Sequence, residues 1–374
     1  MPRSHPESTP SKRAAAAKTP RAGRSRSADR DANLADADAD RLLGLIAKFE
    51  RLRVAVIGDF LADEFIYGRV ARVSREAPVL ILEYDRTQLV PGGAGNAANN
   101  VAALGARTRA LGLIGADETG ARLKAELHAN VDSGRVLVDK DLCTTTKTRI
   151  LAGGIHSAKQ QVVRIDRGTQ QKPGAATRAR FEQLVLAGVA RCDAVLVSDY
   201  GAGLVSPKLV AEARRRAGVR KDGTPVPVLI DSRYELQRYK GLTACTPNQD
   251  EVEALLGVRI DENMTVLERA GRDLLARMRH DIVLVTRGSR GMALFEKGQP
   301  TRHIGIYGSD EIADVTGAGD TVIATMTLAL AAGASAYDAA RLANCAGGLV
   351  VMKRGTATVS ANELREAVRL DFAK

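Results

Sequence analysis

Five short runs rich in Val, Ile and Leu constrain this chain most: RVAVIGD (53–59), RALGLIG (109–115), AVLVSDY (194–200), PVLIDS (227–232) and DIVLVTRG (281–288). None alternates with polar residues as a half-wet strand does, so each reads as a strand covered on both faces, the habit of parallel sheets. Between them lie helical patterns, NAANNVAALGA, TGARLKAELHAN, TRARFEQLVLAGVARC, SPKLVAEARRRAGV and MTVLERAGRDLLARMRH. Alternating buried strands and helices predict an α/β protein of three α/β/α layers on a doubly wound sheet. With 374 residues and 45% hydrophobic content, the chain can bury such a core. Asp59, Asp199, Asp231 and Gly288 end strands, placing polar groups at the carboxyl edge where these sheets bind ligands.

Residues 65–90 and 143–166 break the rhythm and read as short strands joined by turns, a small second sheet standing off the main one as a lid. The domain is taken as 41–374, preceded by a basic tail over 1–40, with a short linker around 31–45. The net charge of +11 suggests nucleic acid until it is located: eight basic side chains against two acids fall in residues 1–30, leaving +5 for the remainder. That tail has almost no large apolar residue, so nothing offsets the entropy of ordering it, and it is expected to be disordered. It lacks the apolar core of a secretory signal, and nucleic acid is not an expected partner. No run approaches the roughly 18 apolar residues of a membrane span. Cys143, Cys192, Cys245 and Cys345 form no CxxC pair and the five histidines no HxxxH, so neither zinc nor a disulfide framework is indicated, and a cytoplasmic location is expected.

The segment Asp314-Val315-Thr316-Gly317-Ala318-Gly319-Asp320 runs straight into apolar TVIATMTLALAAGA. A glycine-rich turn opening a helix presents unpaired N–H groups at a positive dipole end, an anion site. The amides of Ala318, Gly319 and Asp320 are expected to hold a transferred phosphoryl group, with Gly317 and Gly319 allowing close approach. Asp320, a carboxylate beside that anion site, is the expected base for an attacking hydroxyl. Asn248 and Glu251, after strand-like LTACTP, read either as a pair ordering Mg2+ through water or as the capping box of a helix. Gly92, Gly93 and Asn96 in PGGAGN open another helix, where close backbone approach to a sugar explains the glycines and Asn96 or Asn99 would bond its hydroxyls. The same stretch contains GxGxxA, but a dinucleotide fingerprint follows the first buried strand, whose place RVAVIGD already holds. Asp59 and Asp63 are candidate partners for sugar hydroxyls, and Lys147, Arg149 and Arg164 in the lid for an anionic substrate.

Together GGAGN, N-x-x-E and DVTGAGD resemble the ribokinase or PfkB family of carbohydrate kinases, from about residue 50 to the C-terminus. Within it the chain is most similar to the D-glycero-β-D-manno-heptose 7-phosphate kinases, through GDFLADEFIYG (58–68), SREAPV (74–79), PGGAGNAANNVAALGA (91–106), SDYGAG (198–203), TPNQDE (246–251), LVTRGSRGM (284–292), DVTGAGDTVIAT (314–325) and GTATV (355–359). The resemblance implies a ribokinase-like fold with a β lid, ATP and Mg2+, transfer to the C1 hydroxyl of a sugar 7-phosphate, a role in lipopolysaccharide or surface-glycan synthesis, and a homodimer formed through the lids. It implies that Asp320 is the catalytic base and Gly317–Gly319 the anion hole. It also places Asn248, Thr286, Gly288 and Asn344 with the nucleotide, and Asp59, Asp63, Gly93, Asn96, Lys147 and Arg149 with the sugar.

The chain departs from the pattern at Ala202, where a lysine is usual, at Arg233, where another is usual, and at GGIHSA (153–158), which lengthens the lid hairpin. Losing a cation near a sugar phosphate costs about 1.5 to 3 kcal/mol unless replaced. Bifunctional relatives carry an adenylyltransferase domain with an HxGH motif, and a kinase alone is expected here. Two alternatives keep the fold: a kinase for another sugar or sugar phosphate, and a catalytically weak sugar- or nucleotide-binding protein.

Overall fold

The structure, a computed structural model, describes residues 37–153, 159–220, 222–308, 314–353 and 355–372. A helix, α1 (residues 37–46), precedes β1 (Arg53–Gly58), which passes almost directly into the long hairpin β2 (Phe60–Val73) and β3 (Leu80–Gly93). Helix α2 (Ala94–Ala103) returns to β4 (Arg107–Leu111), followed by β5 (Leu113–Gly115), α3 (Glu118–Ala125), β6 (Val131–Asp132) and β7 (Leu137–Asp139). The second hairpin, β8 (Thr146–Gly153) and β9 (Gln160–Arg167), leads through α4 (Ala175–Gly188), β10 (Ala194–Asp199), α5 (Pro207–Ala217), β11 (Val228–Ser232) and β12 (Ala244–Cys245). Then come α6 (Gln249–Leu256), α7 (Met264–Met278), β13 (Ile282–Thr286), β14 (Met292–Glu296), β15 (Arg302–Ile304), α8 (Ala318–Ala331), α9 (Ala336–Val351) and α10 (Ala361–Phe372).

Among the described residues, nine strands form the main sheet in the order β15-β14-β13-β12-β11-β10-β1-β4-β6. Pairing is parallel from β6 to β13 and antiparallel at β13–β14 and β14–β15. Side chains alternate between two buried layers, as strand geometry requires. Val54 and Val56 join one core with α2, α8, α9 and α10, while Ala55 and Ile57 join the other with α4, α5 and α7. The predicted three-layer fold is the one observed. Helix α8 is buried nearly all round from Asp320 onward, as its mostly apolar sequence demands.

The lid sheet has the order β3-β2-β8-β9. Its first hairpin begins at Phe60 and ends at Gly93, beyond the expected 65–90, because pairing of β2 with β3 runs down to Phe60 and Gly93 at the edge of the main sheet. Residues 154–158, most of the lengthened GGIHSA hairpin, lie outside the described residues, as does the tail over 1–36.

Two expectations need correction. The linker expected around 31–45 is helical from residue 37, and its Leu42, Leu45 and Ile46 are buried in the core. The run RALGLIG is not one strand: β4 stays in the main sheet, whereas β5 leaves to pair with β7. The break falls at Gly112, where a Cβ would lie 2.1 Å from the Phe60 ring, so only glycine lets the chain turn against that side chain.

Candidate active site

One cleft of about 850 Å3 lies at the carboxyl edge of the main sheet, beneath the lid. Gly317, in the left-handed region at φ +80°, caps α8 and aims its first amides into this space. The expected anion hole is narrower than three amides, because the Ala318 N–H donates to the Val315 carbonyl (3.2 Å). Among the described residues, those of Gly319 and Asp320 remain open, as first-turn donors do without a cap. A Cβ on Gly319 would meet nothing within 4 Å, so this stretch of backbone faces the cleft bare.

Asp320 sits at the same turn, 5% exposed. Its Oδ2 accepts a hydrogen bond from Asn96 Nδ2 (2.7 Å), and its Oδ1 has no partner among the described residues. Burial pushes its pKa up to about 7; the Asn96 bond and the Lys147 charge pull the other way, and the Asp63 charge adds to the rise. Asp231, half-buried at the end of β11, is raised to about 8 by burial first and then by Asp320 and Glu251, with Arg233 opposing. Tyr200, following β10, has its phenol pushed well up, chiefly by the charge of Asp320. Asp231 and Tyr200 both line the cleft; Asp231 was expected only as a strand-end acid at the carboxyl edge, and neither was assigned a role.

On the lid side, Asp63 Oδ1 pairs with Arg149 (2.5 Å), and both line the cleft with Lys147 and Arg164. Burial lowers the pKa of Lys147, whose ammonium lies 5.2 Å from the Tyr200 ring centre. Arg164 is engaged by Asp166 through two bonds of 2.9 and 3.0 Å. Gly92 makes room for Asp63, since a Cβ there would lie 2.2 Å from Asp63 Oδ2. Gly93 lines the cleft at φ +57°, where a Cβ would strike the Asp59 carbonyl at 2.5 Å.

Three expected sugar contacts are placed otherwise. Asp59 is not in the large cleft: its Oδ2 accepts from the amides of Tyr200 (2.8 Å) and Ala202 (3.2 Å), fastening the turn after β10. Burial raises its pKa to about 6. Asn96 lines the cleft, but its amide is given to Asp320. Asn99 faces outward, its side chain bonding the Glu126 carbonyl and the His128 amide.

Asn248, Thr286, Gly288 and Asn344 line the other end of the cleft together. Asn248 and Glu251 form the capping box of α6: Asn248 Oδ1 accepts from the Glu251 amide (2.8 Å) and Glu251 Oε2 from the Asn248 amide (3.0 Å). Glu251 Oε1 is taken by Arg233 (3.1 Å). Among the described residues no group of three or more His, Cys, Asp or Glu side chains is placed to hold a metal ion. Asn344 donates to the Gly305 carbonyl (2.7 Å), and Met292, Ile306, Tyr307, Val322 and Val351 supply an apolar wall. Gly348 keeps that wall close, because a Cβ there would lie 2.4 Å from the Tyr307 carbonyl oxygen.

Solved sugar kinases share this architecture, which is the ribokinase-like fold. The Arabidopsis thaliana ribokinase complexed with ribose and ATP aligns with a TM-score of 0.65 at 19% identity, covering 85% of this chain and 99% of that one. The Escherichia coli phosphofructokinase-2 in complex with fructose-6-phosphate aligns at 0.62 and 18%, covering 86% and 99%. The chain itself belongs to the pfkB family of carbohydrate kinases, whose profile matches residues 52–363. Its relatives include the bifunctional protein HldE of Geobacter sulfurreducens, 39% identical over 325 residues, and that of Caulobacter vibrioides, 41% identical over 328. The first alignment covers 86% of this chain and 64% of the relative, the second 87% and 65%.

Proposed function

We propose that this kinase transfers the terminal phosphoryl group of ATP to the C1 hydroxyl of D-glycero-D-manno-heptose 7-phosphate. One observation carries the reaction type: a buried carboxylate, Asp320, with one oxygen held by Asn96 and the other without a partner among the described residues, beside two helix amides open among those same residues. A base with a pKa of about 7 suits proton removal from a sugar hydroxyl at neutral pH. The Gly319 and Asp320 amides would stabilise charge on the migrating phosphoryl oxygens. Asp63 would orient sugar hydroxyls, and Lys147, Arg149 and Arg164 would attract the anionic end. The wall from Met292 to Val351 suits adenine, with Thr286, Gly288 and Asn344 around it.

Glu251 has both oxygens engaged, so Asn248 and Glu251 fit Mg2+ only through water. When bound, that ion supplies neutralisation of the nucleotide phosphates. The heptose assignment rests on the motifs from GDFLADEFIYG to GTATV and is supported by the HldE relatives. We also infer a homodimer through the lid, since β9 is exposed along its whole length with Val162, Val163 and Ile165 between 45% and 50% open. No described helix is long and apolar enough to cross a membrane.

The test is ATP-dependent ADP release against heptose 7-phosphate, unphosphorylated heptose, fructose phosphates, ribose and nucleosides. Heptose 7-phosphate should give the highest kcat/KM. A preference for an unphosphorylated sugar would reject the 7-phosphate reading, which Ala202 and the Glu251-bound Arg233 make the sharpest point of the assay. No turnover of any sugar would favour a binding protein instead.

A further inference from the structure

Behind Asp320, α2 and α8 are joined by three buried polar side chains that all donate in the same direction. Thr321 Oγ1 donates to Asn100 Oδ1 at 2.8 Å, its shorter contact beside the Gly317 carbonyl at 3.3 Å; Asn100 Nδ2 donates to Asn96 Oδ1 (3.1 Å), and Asn96 Nδ2 donates to Asp320 Oδ2 (2.7 Å). Thr321 and Asn100 are wholly buried, and Asn96 is 2% exposed. Asn100 fixes the sense of the chain. Its amino group serves both oxygens of Asn96, the second being the backbone carbonyl at 3.0 Å, so its own oxygen faces the threonine hydroxyl.

Turning the Asn96 amide over would set its NH2 against the NH2 of Asn100 and its oxygen against the carboxylate. In a low-dielectric interior both clashes are severe. The chain also leaves no slack, because a Cβ on Gly317 would lie 2.7 Å from Asn96 Nδ2. A core contact between two helices needs no asparagine pair, and aliphatic side chains would pack there without unsatisfied groups to manage.

We propose that Asn100 and Thr321 are positioning residues for phosphoryl transfer: through Asn96 they lock the amide facing Asp320 as a donor and so hold that carboxylate in its proton-accepting form. This inference rests on the reading of Asp320 as the base. Other groups also face Asp320, namely Asp63 from β2, Lys147 from β8, Tyr200 after β10 and Asp231 from β11. None of them lies behind the carboxylate in the contact between α2 and α8, so variants in the relay leave those neighbours in place.

The experiment is the pH profile of kcat for the wild type, Thr321→Val, Thr321→Ser and Asn100→Leu. Thr321→Val removes the hydroxyl while keeping the shape, so it remains informative if Asn100→Leu does not fold. In both hydroxyl- and amide-deleting variants the acid limb should move up by about one pH unit, with both KM values nearly kept. Thr321→Ser should restore the wild-type limb. An unmoved acid limb in Thr321→Val, with only kcat or Tm altered, would show a purely structural contact and overturn the proposal. Asp320→Asn, run alongside, separates the two readings: if it retains wild-type turnover the base assignment itself fails, whereas an inactive Asp320→Asn with an unmoved limb sinks the relay alone.

Discussion

Asp320→Asn should make the protein more stable while making it nearly inactive, and the two effects have one origin. Burial lifts the Asp320 pKa from 3.8 to about 7, so the folded protein binds a proton there more tightly than the unfolded chain does. Between those two values the folded state carries the extra proton, and stability falls as pH rises through the window. Above pH 7 the full penalty is present, about 3 units or roughly 4 kcal/mol at 1.36 kcal/mol per unit. An asparagine of the same shape carries no charge to bury and can accept the Asn96 bond through its oxygen. With unfolding entropy of roughly 2 cal/mol/K per residue, Tm should rise by about 5 °C at pH 8. At pH 5 the same arithmetic leaves about 1.7 kcal/mol, or roughly 2 °C. Differential scanning calorimetry at the two pH values, beside kcat at saturating substrates, is the assay. A variant no more stable at pH 8, or one whose advantage does not shrink toward pH 5, would refute the claim of a strained buried carboxylate. For the wild type, the same ionisation predicts that kcat at pH 6 is about one tenth of its plateau.

Two glycines should divide the cleft by substrate. Gly92→Ala puts a Cβ where Asp63 Oδ2 now lies, 2.2 Å away, and should raise KM for the sugar about tenfold or more with KM for ATP kept; an unchanged sugar KM would remove Asp63 from that end of the cleft. Gly348→Ala drives a methyl to within 2.4 Å of the Tyr307 carbonyl and should do the reverse, raising KM for ATP about tenfold while the sugar KM holds. Equal effects on both substrates would dissolve the division of the cleft into two ends.

The parallel part of the sheet was legible because burial on both faces leaves a compositional mark. Ala194 to Asp199 are all buried, and so are five of the six residues of β1. The hairpin of β14 and β15 was not legible: MALFE is short, and β15 is mostly exposed, so no run of buried β-branched residues announces the sheet edge. The start of the domain was misread for a related reason. Residues 37–46 mix acids with a narrow Leu and Ile stripe that looks like a solvated linker until α9 offers Asp338 to Arg41, at 2.9 Å, and the core receives Leu42 and Ile46. The split of RALGLIG turned on a clash with Phe60, a residue about 50 positions away along the chain.

Within the site, strand periodicity could say that Asp59, Asp199 and Asp231 reach the carboxyl edge, but not which way each carboxylate turns. That choice belongs to partners supplied by other elements. Asp59 is drawn away from the cleft by two amides of the turn after β10, and Asp199 by the hydroxyls of Ser232 (2.9 Å) and Tyr239 (2.7 Å). The Asp231 carboxylate has no hydrogen-bond partner among the described residues, so it stays in the cleft, where burial and then the charge of Asp320 raise its pKa. The same logic reassigns Asn96. Its place at the mouth of α2 suggested a sugar ligand; Asn100 and Thr321 set the sense of its amide, and one of its N–H groups donates to Asp320. Only a partner 224 positions along the chain distinguishes that task from binding a sugar, and helix or strand patterns carry no trace of so distant a contact.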